Sequence, residues 1–343
     1  MKQGRIAAFD MLKGVGIILV IVGHNVPLSS LLYKFIFSFH MPLFFLVSGY
    51  FFRPQPVVPF LKKDFKQLIV PYLFVCAIIM ISALVEDTVR HTWFQRTIYR
   101  GVACFWGSGS EKPVLGGAYP AIGAVWFLLA LFWCRAFFNY FYSNKEKNNA
   151  IMLAVAIGAI LVAKYIALPF SILQGLSAIV FYYIGYLVRK YQLLEKKVSV
   201  YLSILMAGVW IFCILFSHCW MESLRYRYFP LDVLSAVSGT WFIYRFCRLG
   251  EAIAQPLVQR CTKILVIFGQ LSLVVLCFHV IEMFLIPWRP WINDLFSMMN
   301  ITLHPYLSKT LVILCRLAWA GAAVVLVPKV AIFRRIFSIK ADY

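Results

Sequence analysis

The chain has 343 residues, of which 62% are hydrophobic and 13% charged, and its mean hydropathy is +0.83. A soluble domain of this length has too little interior to hide that much apolar surface, so composition excludes an ordinary water-soluble fold and points to a bilayer. The formal net charge of +20 would suit a nucleic-acid partner, but most of the 33 Lys and Arg sit between apolar segments, which argues against nucleic acid.

In chain order, ten apolar stretches come near the roughly 20 residues that a bilayer-crossing helix needs. They cover approximately 13–28, 31–52, 68–85, 123–143, 150–164, 170–188, 199–217, 229–246, 264–286 and 308–328. The first is similar to a signal-peptide core, yet no small-residue cleavage site follows His24, so it reads as an uncleaved helix. The 150–164 stretch is short and suits a tilted or partly interfacial helix. With the N-terminus in the cytoplasm, the inside segments carry Lys2 and Arg5, Lys62 to Lys66, Lys145 and Lys147, Arg189 to Lys197, Arg245 to Lys263, and Lys329 to Lys340. Every inside segment is then basic, which places both termini in the cytoplasm. The expected fold class is all-α: a polytopic transmembrane helix bundle of about ten spans, one domain over 1–343, with no separate soluble part.

Two longer exterior segments interrupt this pattern. The stretch 86–122 contains Gly107-Ser108-Gly109-Ser110 and Gly116-Gly117, and reads either as a binding lid or as a connector. The stretch 287–307 offers Trp288, Trp291 and Tyr306 as interface anchors. Nine cysteines show no C-x-x-C pair and no zinc-type spacing, so no metal site is expected. Cys104 and Cys219 stand as a candidate exterior disulfide.

Ionisable residues inside apolar stretches are costly and normally face a cavity or a partner. The first helix and its start hold Asp10, Lys13 and His24, which fall on one face at 100° per residue. Lys13 and His24 are about 16 Å apart along the axis, one at the inner mouth and the other deep. His24 is a candidate general base or nucleophile, with a packed histidine bonding a carbonyl as the alternative. In the second stretch, Pro42 removes a backbone donor and disfavours helix at Met41, which predicts a break lined by His40. In the ninth, Ser272 and His279 share a face, with Glu282 one turn beyond. Asp232 and Arg316 add one charge each to the eighth and tenth stretches and are candidates for an ion pair. There is no G-x-S-x-G elbow, no H-E-x-x-H and no phosphate-binding glycine loop. Acyl transfer and a proton-coupled transporter both fit these residues.

Several segments together resemble the acyltransferase-3 family of membrane acyltransferases, whose members include sugar and polysaccharide O-acetyltransferases. They are Phe39-His40-Met41-Pro42-Leu43-Phe44-Phe45 with Ser48-Gly49-Tyr50, and the basic residue, ten others, then His pattern of Lys13 and His24. Trp126-Phe127-Leu128, Tyr183-Ile184-Gly185-Tyr186 and Gly269…Ser272…His279 complete the set, so the resemblance runs nearly the full length. It implies an acyl-CoA donor, typically acetyl-CoA, reaching the site from the cytoplasm, and a carbohydrate or lipid-linked sugar acceptor at the outer side of a bacterial inner membrane. It implies a donor contact for Lys13 and a general-base or acyl-carrier role for His24. His40, His279 and Asp10 are the further catalytic candidates. Where relatives carry an R-x-x-R pair before a Pro-Tyr, this chain has Asp64 and Gln67 before Pro71-Tyr72, with Lys62, Lys63 and Lys66 alongside as the expected contacts to CoA phosphates. Ser272, Trp126 and Tyr119 are the candidate acceptor contacts. Rival readings are a transporter or flippase for a lipid-linked sugar, and a non-catalytic membrane subunit in polysaccharide export. Self-association stays open.

Overall fold

The computed structural model describes residues 7–114, 117–143 and 149–340, and each of the ten apolar stretches carries helix over most of its length. Lys2, Arg5, Gly116, Lys145 and Lys147 lie outside the described residues. Helix α1 (Ala7–Gly23) leads through a short turn into α2 (Leu31–Phe37), capped by the Ser30 side chain, which accepts from Tyr33 N at 3.1 Å. Helix α3 (His40–Tyr50) follows after a break at Ser38 and Phe39. That break sits one turn before Pro42, where the missing N–H and the ring's clash with the preceding turn disfavour continuous helix. Ser38 Oγ donates to Phe35 O at 2.7 Å and accepts from Trp210 Nε1 at 2.8 Å, so the interruption has its own polar partners.

Helix α4 (Val57–Asp64) runs through a π-helical turn, Phe65–Ile69, into α5 (Val70–Arg90) without a gap. Most of the stretch 86–122 is folded: α6 (Gln95–Trp106) is followed by a hairpin of β1 (Lys112–Val114) and β2 (Gly117–Tyr119). Helices α7 (Trp126–Ser143) and α8 (Asn149–Val162) precede the pair α9 (Ile172–Ser177) and α10 (Ile179–Lys190). Helix α11 (Val200–Phe216) leads to a second hairpin, β3 (Cys219–Trp220) with β4 (Arg225–Tyr226), and then to α12 (Leu231–Ala252). The ninth stretch starts earlier than expected and is bent by 76° between α13 (Pro256–Gln270) and α14 (Ser272–Leu285). Helices α15 (Trp288–Met298), α16 (Pro305–Leu326) and α17 (Ala331–Ile336) complete the chain.

Among the described residues, four helical segments are long and apolar enough to cross a bilayer: 31–50, 57–90, 172–190 and 305–329. The bent pair α13–α14 makes a fifth when counted as one span. These mark an integral membrane protein of the all-α class. Helices α8 and α11 are apolar but shorter, while α7 and α12 carry Arg135, or Asp232, Arg245, Arg248 and Glu251, which lower their mean hydropathy.

Close backbone packing explains several of the sequence motifs. Helix α1 lies along α13, where a Cβ on Gly14 would fall on Leu265 O and one on Gly269 would fall on Asp10 O. Helix α3 lies along α10 in the same way, with Gly49 against Tyr182 O and Gly185 against Leu46 O. Small residues let helix backbones touch where apolar lipid gives no hydrophobic drive for association. The Ser-Gly-Tyr and Tyr-Ile-Gly-Tyr segments are thus two halves of one contact.

The candidate Cys104–Cys219 disulfide is corrected: both cysteines are free. Cys104 is on α6, whose carbonyl accepts from Tyr72 Oη at 2.6 Å and holds that helix against α5, while Cys219 is buried in the β3–β4 hairpin.

Candidate functional site

Helix α1 is the axis of the site, because it touches α2, α3, α12, α13, α14 and α16. Along one of its faces Lys13, Ile17 and Val20 line a cavity of about 260 Å³. Helix α3 contributes Met41, Phe44, Val47 and Ser48, and α14 contributes Ser272, Leu273 and Leu276. Phe127, Leu128 and Leu131 of α7 close the remaining side. Lys13, Ser48 and Ser272 give this otherwise apolar shaft its polar groups. Lys13 forms an ion pair with Asp10 at 2.8 Å, and Asp10 also accepts from Gln270 Nε2 at 3.2 Å. Asp10, 5% exposed, therefore anchors the lysine and is not itself among the lining residues.

His24, His40 and His279 stand just beyond residues that line this cavity, and none of the three lines it. One turn past Val20 stands His24, whose N–H donates to Val20 O at 3.2 Å. Next to Met41 stands His40, and three residues past Leu276 stands His279. The rings of His24 and His279 are 5.4 Å apart, centroid to centroid, tilted by 43°. His40 is 4% exposed and its Nδ1 lies 2.9 Å from Ile36 O, one of the carbonyls at the α2–α3 break. With Nδ1–H donating there, Nε2 is the lone-pair nitrogen. His24 has an accessible face, although His279 beside it is only 1% exposed. It is the imidazole of the three that a small molecule can reach.

Behind His279 lies a polar assembly that the sequence did not foretell in full. His279 Nδ1 is 3.0 Å from Glu282 Oε1, as the one-turn spacing suggested. Glu282, fully buried, also accepts from Trp288 Nε1 and pairs with Arg316 Nε at 3.4 Å. The proposed Asp232–Arg316 pair is corrected accordingly. Arg316 on α16 meets α14, whereas Asp232 accepts from Ser217 Oγ and from Tyr228 N at 2.7 Å. Trp288, expected as an interface anchor, spends its N–H on the buried carboxylate. A carboxylate at Nδ1 fixes the tautomer and leaves Nε2 of His279, buried and without a protein partner, as a base on the side away from Glu282.

The other candidates are placed as follows. Lys62, Lys63 and Lys66 are exposed on α4 and the π-helical turn, and Leu68, two residues after Lys66, lines the same cavity as Lys13. Asp64, at one of the positions where relatives carry arginine, is fully buried and pairs with Arg135 of α7 at 2.9 Å. A guanidinium is therefore present at this point, supplied by a different helix. Trp126 and Tyr119 are 4% and 5% exposed, and Tyr119 is stacked on Trp106 at 4.3 Å. The residues of the Trp-Phe-Leu motif that reach the cavity are Phe127 and Leu128.

A cation at one end of a shaft and a cluster of imidazoles at the other is an arrangement suited to group transfer. The comparisons agree on the class. The family model described as Acyltransferase domain (Acyl_transf_3) matches residues 6–327, and the chain belongs to that family of acyltransferases. It is also similar to the Nodulation protein NolL of Sinorhizobium fredii (strain NBRC 101917 / NGR234), 31% identical over 147 residues, which covers 38% of this chain and 34% of that protein. The chain thus spans about a third of the length of that curated relative. No solved structure matches it.

Proposed function

We propose that the protein transfers an acyl group, acetyl in the first instance, from a cytoplasmic acyl-CoA to a hydroxyl of a carbohydrate or lipid-linked sugar at the outer face of a bacterial inner membrane. The single observation that carries this reading is the cavity lined by Lys13, whose lining residues Val20, Met41 and Leu276 are near chain neighbours of His24, His40 and His279, with the His24 and His279 rings 5.4 Å apart. On this reading the chain makes ten passes with both termini in the cytoplasm, so that Lys62, Lys63, Lys66 and Lys13 face the donor side. Positive-inside charge placement supports that orientation.

The exposed lysines attract the donor's phosphates, and Lys13, held by Asp10, supplies fixed positive charge where the narrow apolar shaft begins. The shaft suits a thin acyl-bearing arm and excludes bulk water from it. His24 takes the proton of the acceptor hydroxyl as that oxygen attacks the thioester carbonyl, and the CoA thiolate departs toward the cytoplasm. An imidazole within hydrogen-bond reach of the hydroxyl typically contributes about 10²–10⁴ to such a step. His279, held by Glu282, orients His24 or relays its proton, and His40, held by Ile36 O, lies near enough to act on the same group electrostatically. Ser272 lies on the wall where the carbonyl passes and is a hydrogen-bond donor to it.

The direct test is mass spectrometry of surface glycans and glycolipids from cells with the wild-type chain, with His24→Ala, and with the gene deleted. An acyl mass increment that appears with wild type alone supports the reading. An identical increment with His24→Ala rejects the assignment of His24.

A further inference from the structure

Two cavities on the opposite side of the α1–α2 turn are absorbed by nothing described so far. The inner one, about 130 Å³, is bounded by Lys34, Phe37, Ser217, His218 and Asp232, among others. The outer one, about 560 Å³, is bounded by Glu111, Lys164, Tyr165, Glu222 and Arg225. Leu28, Tyr33 and Trp220 line both, so the two form one stepped groove between the β3–β4 hairpin, the first turn of α2 and the α8–α9 connection. All of these segments belong to the side of the molecule that carries the hairpins, opposite Lys13.

The floor of the step is built. Trp220 is stacked on His218 at 4.4 Å and 29°, and its strand partner in the hairpin is Arg225. Asp232, 1% exposed, ties Ser217 and Tyr228 N together and so fixes both ends of the hairpin segment. Tyr33 is stacked on Phe37 at 3.9 Å. Phe37 in turn meets His40 edge to face at 4.6 Å, and would be the first group a Cβ on Gly23 touched, at 3.0 Å. One ring therefore separates the inner cavity from the histidine cluster, and Leu28 lies four residues from His24.

We propose that this groove is the acceptor site and that it takes an uncharged carbohydrate chain; this rests on the acyl-transfer reading above. Its chemistry selects that class. Both signs of charge line the walls, Lys34, Lys164, Arg225 and Arg227 with Glu111, Glu222 and the buried Asp232, so a strongly charged chain of either sign meets like charge. A polyol uses both kinds of group, because each hydroxyl donates and accepts. Trp220, Tyr33 and Tyr165 add apolar ring faces of the kind that pack against a sugar ring, and Tyr165 is 87% exposed. His218 stays an uncharged ring here: burial lowers its pKa, nearby Arg227 and Arg225 add to that, and Asp232 opposes them. The volume lies within the few hundred to a thousand Å³ typical of ligand sites. A sugar seated in the outer chamber extends toward the inner one, and the Phe37 ring is the group that must turn aside for its hydroxyl to meet the histidine cluster.

The test uses the full-length protein in detergent, with maltotetraose, cellotetraose and chitotetraose as neutral probes and tetragalacturonate as the anionic one. Saturation-transfer NMR reads their binding, and thiol detection reads release of CoA from acetyl-CoA with the probe present as acceptor. At least one neutral probe should bind the wild type more tightly than tetragalacturonate. Trp220→Ala should weaken it by tenfold or more, and Tyr165→Ala, at a fully accessible position that the fold does not need, by severalfold. Both variants should keep the wild-type thermal melt and release CoA more slowly at subsaturating probe. Binding of no neutral probe, or unchanged binding in both variants, overturns the proposal. If the wild type releases no CoA even with a bound neutral probe, yet Trp220→Ala abolishes probe binding, the groove stands and the acyl-transfer reading falls.

Discussion

His279 Nδ1 and Glu282 Oε1 are 3.0 Å apart on successive turns of α14, both side chains almost wholly buried, with the His24 ring on the far side of the imidazole. A buried carboxylate that holds one ring nitrogen decides which nitrogen is the base, and it stabilises the ring if it takes up a proton. Glu282→Gln keeps the shape and removes the charge. We expect kcat to fall by about 100-fold or more with little change in KM, in line with losses at comparable orienting carboxylates. Steady-state kinetics beside a thermal melt will separate this from simple unfolding. An unchanged kcat would make the pair purely structural.

The Asp64–Arg135 pair joins the α4–α5 segment to α7 at full burial of the carboxylate. Arg135→Ala leaves that carboxylate without its cation, and breaking one side of such a pair costs about 3–5 kcal/mol. The double variant Asp64→Leu with Arg135→Leu should recover most of the loss, because well-packed apolar replacements remove the desolvation penalty. Thermal midpoints of the three proteins in one detergent check this. A double variant as unstable as the single one contradicts it.

Gly49 and Gly185 face each other's helices at backbone contact. Gly185→Val must push α3 and α10 apart, and overpacking of this kind costs about 1–3 kcal/mol or more. The melting temperature should drop, with activity lost in proportion because α3 carries His40 and the cavity wall. Gly208→Val, where a Cβ meets nothing within 4 Å, is the matched control and should melt like the wild type.

Lys62, Lys63 and Lys66 are exposed, so each acts through screened electrostatics. Changing all three to Glu should raise the KM for acetyl-CoA by about tenfold at low salt and leave kcat nearly unchanged. The difference from wild type should shrink as ionic strength rises, since the Debye length falls from about 10 Å at 0.1 M to 3 Å at 1 M. A KM that ignores both the substitutions and the salt removes these lysines from the donor site.

Much of this site was legible in the sequence because it depends on spacing within single helices. Lys13 and His24 share a face by helical period alone, His279 and Glu282 are one turn apart, and Pro42 announces the break beside His40. What the sequence withheld is partner choice between helices. Arg316 could be paired with Asp232 or Glu282 on charge grounds, and only packing of α14 against α16 decides for Glu282. Trp288 read as an interface aromatic because its N–H partner lies on another helix. The guanidinium near the donor-side lysines was missed for the same reason: Arg135 lies some seventy positions from Asp64 in the chain. The groove lined by Trp220 and Tyr33 is assembled from three short connections, none of which has a periodic signal.

On the proposed mechanism, acyl groups leave the donor beside His24, beyond the cavity that Lys13 lines. Purified full-length protein supplied with a neutral oligosaccharide acceptor should release thiol from acetyl-CoA, and His24→Ala, folded as judged by its thermal melt, should lower that rate by about 10²–10⁴-fold. Thiol release by His24→Ala at the wild-type rate would contradict it.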